Sequence, residues 1–201
     1  YYTPVEVIVL PSSNHYRTSW GSLHVLGEME NDTGSTISNV WITARLYDRN
    51  DNFLRSSSAL LMVDYLAPDE QTCFDIVFDS PPSNWYRYEF DPARYERSTA
   101  GPRLSVESTD GYPDTDASGD DVYVVDGRVR KISGTRVHGV KAVATLYNSK
   151  DKVVSCSSDY IDTTDLALNN NAAAAFEIIF WDREIYDDVN DYRVQASCCP
   201  Y

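Results

Sequence analysis

The chain has 201 residues, enough for one large domain or for two of about 100, each with a core of its own. Its net charge of -14 is spread over both halves: residues 1–100 carry 14 acids against 7 Lys and Arg, and residues 101–201 carry 17 against 10. Neither half offers the basic patch that nucleic acid or an anionic membrane requires, and no apolar run approaches the roughly 18 residues of a spanning helix, so direct membrane insertion is not expected.

With 15 Tyr and 4 Trp against 2 Met, the residue mix leans toward strands. Alternation of apolar and polar residues predicts them, in chain order, over 5–10, 22–30, 38–47, 53–63, 72–79 and 85–90. A second set follows over 103–108, 122–130, 138–147, 152–161, 173–181 and 191–197, and no stretch carries a helical period. Within these runs Val40, Ile42, Ala44 and Leu46 share one face, as do Phe74, Ile76 and Phe78, and both sets have counterparts in the second half. Clusters of turn-forming residues, such as ENDTGST before Ile37, DRNDN at 48–52 and APDEQ at 67–71, separate the strands.

The second set repeats the first. ARLYDRNDNFLRSSS from Ala44 returns one hundred residues later as ATLYNSKDKVVSCSS from Ala144, with Gly27 meeting Gly127 and Gly34 meeting Gly134; FDIVF from Phe74 returns as FEIIF from Phe176. The expectation is an all-β chain of two tandem immunoglobulin-like antiparallel β-sandwiches, residues 1–98 and 99–201. Each half resembles the FxLYD family of bacterial and archaeal β-sandwich modules, whose name-giving strand falls on Ala44-Arg45-Leu46-Tyr47-Asp48 and Ala144-Thr145-Leu146-Tyr147-Asn148. Ala stands for the family's Phe in both copies, Asn148 for its Asp, and Leu168 for the turn proline. The resemblance implies an exported or surface-anchored protein and carries over no catalytic residue.

The repeated hairpin residues Asp48, Asn50, Asp51 and Asn52 read as turn formers, since Asn and Asp tolerate positive φ and bond their own backbone. In DGYPDTDASGDD, residues 110–121, the run Asp114, Asp116, Ser118, Gly119 and Asp120 follows the start of a calcium loop. Val125 stands where the closing Glu belongs, so an acidic surface loop is the simpler reading. No other cofactor is indicated. Asn31-Asp32-Thr33 is a sequon in a turn, read as an ordinary turn rather than a glycan site. His15, His24 and His138 are scattered and expected at the surface, and no phosphate loop, nucleophile elbow or zinc motif appears, so no enzymatic activity is expected.

The aromatic residues Trp85, Tyr86, Tyr88, Phe90 and Tyr95 suggest either a domain junction or a glycan platform, and Trp41 and Trp181, outward by alternation, suggest a buried contact. Cys73, Cys156, Cys198 and Cys199 do not repeat at the offset of one hundred. By alternation Cys73 points outward and Cys156 inward, where Cys198 or Cys199 could reach it. The other terminal thiol would then bond Cys73 of the first domain or of a neighbouring molecule; four unpaired cysteines in a reducing compartment are the alternative. The opening YYTPVEVIVL, with neither Met nor a basic leader, reads as a cut end; its apolar strand is most simply the first of its own sandwich, with donation to a neighbour as the alternative. Taken together, the expectation is a secreted or cell-surface structural protein that self-associates into a homo-oligomer or filament, with glycan or peptide binding as the alternative.

Overall fold

The computed structural model describes residues 6–99, 101–134, 137–161, 170–181 and 188–200, and of Cys199 and Pro200 only the backbone. The regular elements among them are strands paired antiparallel: β1 (Val7–Val9), β2 (Asn14–Arg17), β3 (Leu23–Asn31), β4 (Ile37–Tyr47), β5 (Phe53–Leu60), β6 (Tyr65–Leu66), β7 (Gln71–Phe78), β8 (Arg87–Phe90), β9 (Arg94–Arg97), β10 (Arg103–Thr115), β11 (Asp121–Ser133), β12 (Val137–Tyr147), β13 (Val153–Tyr160), β14 (Ala173–Phe180) and β15 (Asp191–Pro200).

Four open sheets result. In the first, β3 lies between β7 and the short pair β1 and β2; in the second, β4 lies between β5 with β6 and the short pair β8 and β9. The C-terminal half repeats this order with fewer, longer strands: β11 lies between β10 and β14, and β12 lies between β13 and β15. Thus β10 does the work of β1 and β2, and β15 that of β8 and β9. The interruptions in the first half, 10–13 and 91–93, hold Pro11 and Pro92, and proline has no amide to give to a ladder. Sequence periodicity missed β2, β6 and β9, which are too short to alternate, and it ended β10 too early.

In each half the two sheets face each other in a sandwich-like arrangement. Leu23, Val25, Phe74, Ile76 and Phe78 meet Ile37, Ile42 and Leu46 in one buried cluster; Val125, Val129, Phe176, Ile178 and Phe180 meet Val140, Ala142, Ala144 and Leu146 in the other. On these strands the inward faces are those the alternation predicts. The expected boundary near residue 98 falls in the connection between β9 and β10.

The repeat extends to backbone conformation. Positive φ recurs at Gly21 and Gly119, Gly34 and Gly134, Asn39 and Gly139, Asp51 and Asp151, and Asp69 and Asn171. The Gly21 and Gly119 turns are the same five-residue hairpin: the amide of Thr18 donates to the Ser22 carbonyl as that of Asp116 does to Asp120. The proposed calcium loop is therefore mostly strand. Residues 110–115 pair with β11, leaving only the tight turn 116–120 as counterpart of Thr18–Ser22.

Candidate functional site: the seam between the halves and the exposed sheet faces

Residues on β3 alternate between two buried environments rather than between core and water. Val25 and Met29 face the first core, while Leu26 and Glu28 face away from it, beside Asp75 and Cys73 on β7. Along β12, Val143, Thr145 and Tyr147 likewise turn away from the second core. These two outer faces pack together, and the first hydrophobic cluster takes in Val143, Val153 and Cys156 from the second half. Four sheets therefore stack in the order β4, β3, β12 and β11, each named by its central strand.

A disulfide between Cys73 and Cys156 crosses this seam, with Cα atoms 6.1 Å apart. Such a link between distant positions typically stabilises by about 2–4 kcal/mol, chiefly by restricting the unfolded chain. This overturns the expected pairing of Cys156 with Cys198 or Cys199, and of the remaining thiol with Cys73. The cause is a bulge: Tyr147 pairs with Val153 but Leu146 with Ser155, so Val154 is an extra residue. Val154 enters the second core, and every later residue of β13 changes face, carrying Cys156 to the seam. Cys73 does point out of its own sheet pair, as expected. Cys198 is buried in the second cluster, and the side chain of Cys199 lies outside the described residues.

Polar contacts lock the seam around the disulfide. Glu28 is buried, with Arg193 Nη2 2.6 Å from its Oε1 and the Tyr147 hydroxyl donating to the same oxygen; Arg193 Nη1 donates to Gln71 Oε1 at 2.8 Å. Removing a carboxylate from water costs several kcal/mol, and a guanidinium and a phenol converging on it offset that cost. Burial, then the bond to Glu28, pushes the Tyr147 phenol well above the ordinary tyrosine range. At the seam's ends, Lys141 Nζ lies 3.3 Å from Asp64, Ser197 Oγ accepts from the Asp64 amide, and the Val153 amide donates to Ser12. Lys152 donates to Pro11. The 10–13 interruption of the first half thus serves as a contact with the second. Clefts along the rim take in some of these residues, Glu28, Tyr147 and Lys152 at one end and Ser197, beside Tyr65 and Cys198, at the other.

The other sequence-predicted residues separate into turn formers, core supports and exposed rings. Asp116 Oδ1 accepts from the amides of Ser118 and Asp120, as Asp48 and Asn148 Oδ1 each accept from two amides of their own hairpins. Those bonds, with the Asn52 side chain first, lower the pKa of Asp48. Asp114 accepts from the Thr115 amide, and among the described residues no three His, Cys, Asp or Glu side chains gather in metal-binding geometry. Asn31, 0% exposed, donates to the carbonyls of Ser35, Leu66 and Ala67 and accepts from Thr33, so its amide is structural. Of the histidines expected at the surface, His15 and His138 are exposed, His15 edge-on to Trp85 and Tyr88 with partial burial lowering its pKa, whereas His24 is half-buried, stacked on Tyr16 and 2.8 Å from Asp75.

Trp85, Tyr88, Phe90 and Tyr95 pack, partly buried, on the first core, and Trp85 also lines a shallow cleft with Tyr86 and the 48–50 hairpin. Tyr86 and Trp181, each 61% exposed, and Trp41, 41% exposed, lie outside that core. Trp41 stands directly across from exposed Leu60, on a face with Tyr47 and Phe53 at its far end. Sequence reasoning missed Trp20, 93% exposed at the Thr18–Ser22 turn, because a lone Trp between Ser and Gly carries no periodic signal.

The architecture defines an all-β, sandwich-like protein with a covalent internal seam. No protein-family model and no curated protein matches the chain.

Proposed function

We propose that this chain is a non-catalytic structural protein of two tandem immunoglobulin-like sandwiches of the FxLYD type, exported to the cell surface or beyond, where it self-associates into a filament or similar assembly. One observation carries the reading: the outer face of the β4 sheet, counterpart of the β12 face that docks within the molecule, stands exposed with Trp41, Leu60 and Phe53 on it. Exposed large apolar side chains at both ends of one sheet face, with Thr43, Ser58, Arg45 and Ser56 between them, suit a face that meets a partner. The repeated strand order and repeated positive-φ positions support duplication of one module. The disulfide supports an oxidising compartment.

The test is electron microscopy of the purified chain over a concentration series, alongside light scattering. Regular polymers above a threshold concentration are expected. Monodisperse monomers at every concentration, especially ones retained by a glycan array, reject the assembly reading in favour of ligand binding.

A further inference from the structure

We propose that successive molecules stack through the outer face of the β11 sheet of one copy and the outer face of the β4 sheet of the next, reproducing between molecules the seam that joins the two halves within one. The inference rests on the assembly reading above and names its surface and occupant, a second copy of this chain. Inside the molecule, a β3-type face meets a β12-type face. The two faces of those kinds left over are the β11 sheet at one end of the stack and the β4 sheet at the other. A contact between unlike faces propagates head to tail, and so builds an open polymer rather than a closed dimer.

The strand registers identify which residues would meet. Glu28 lies across from Cys73 as Arg128 lies across from Ala175; Arg193 lies across from Thr145 as Glu89 lies across from Arg45. The buried pair Glu28 and Arg193 thus becomes Arg128 and Glu89 between molecules. Both signs are reversed, and the pair remains complementary. Cys156 lies across from Thr145 as Ser56 does from Arg45, so the disulfide pair becomes Ala175 and Ser56, two small residues at a place with a Cα separation of 6.1 Å in the internal seam.

Charge agrees more widely. Asp110, Asp126 and Glu177 are neighbours in one row across β10, β11 and β14, an arrangement that like charges oppose unless something positive covers them. The β4 face presents Arg94, together with Arg45 and Arg87, which are paired within the chain to Asp91 and to Asp51 and Glu89. Complementary fields of this kind fix register and suppress wrong pairings.

Two sets of variants test the stacking in the full chain. Glu89→Arg and Arg128→Glu singly should raise the concentration for assembly at least about tenfold, the effect of about 1.4 kcal/mol, and the combined reversal should restore it. Independently, Ser56→Cys with Ala175→Cys should give a ladder of covalent multimers on non-reducing gels after air oxidation, whereas neither substitution alone should. Assembly that proceeds with no ladder and with unchanged thresholds in the charge variants overturns this stacking and leaves the assembly reading standing. A wild-type chain that stays monomeric overturns both.

Discussion

A Cβ placed on Gly27 would stand 2.6 Å from Cζ of Phe74, and one on Gly127 2.8 Å from Cζ of Phe176. Each glycine lets the ring of its cross-strand partner lie over the backbone, filling the core from one strand with the side chain of the next. Gly27→Ala or Gly127→Ala should each destabilise by about 1–3 kcal/mol through overpacking, measured by urea denaturation. Equal midpoints for wild type and variants would show that the rings move aside freely. The glycine repeat was visible in the sequence, but the ring above it was not, because facing partners are set by register. The Asp48, Asn148 and Asp116 turns follow the same logic. Side-chain oxygens spaced along a hairpin resemble cation ligands in one dimension, and in three they turn back onto their own amides.

At the scale of elements, alternation located most strands and both inward faces, since one buried side imposes period two on any sequence. It failed where a single residue shifts the period. The bulge at Val154 has its twin at Leu54, where Tyr47 pairs with Phe53 and Leu46 with Arg55. In the first half the shift sends Ser56 to the exposed face; in the second it sends Cys156 into a covalent bond. Asn31 shows the converse, a polar residue whose turn-like sequence hides a buried role. Its five hydrogen bonds tie the end of β3 to the β6 segment and to the 33–35 turn. Asn31→Ala should cost about 2–4 kcal/mol in chemical denaturation, because carbonyls that it satisfies would stay buried without a donor. A loss within about 0.5 kcal/mol, the range of ordinary surface changes, would mean that water replaces the amide.

For the molecule as a whole, the seam joins hydrophobic burial, a disulfide and the Glu28, Tyr147 and Arg193 cluster. The tyrosine makes the seam sensitive to alkali. Its phenol titrates near 10 in the unfolded chain and above that in the fold, so its contribution is complete below pH 10 and is lost as pH rises beyond it. Melting temperature should therefore fall more steeply above pH 10 in the wild type than in Tyr147→Phe. The difference is bounded by about 1.4 kcal/mol per pH unit for one proton and reduced by solvent screening at this half-buried site. Parallel pH profiles would remove Tyr147 from the account. The net charge of -14 opposes close approach of two molecules, which places the weight of any self-association on local complementarity such as Arg128 against Glu89.

Composition and periodicity by themselves determined that this chain is built of strands, which residues line its two cores, and that one half repeats the other. These are local properties, written in the alternation of side chains along each strand. Tertiary structure alone decided that Cys73 meets Cys156, that Glu28 is buried against Arg193, and that the β3 face closes on the β12 face. Each of those depends on which side of a strand a residue occupies after a bulge and on how sheets stack, and neither leaves a period in the sequence.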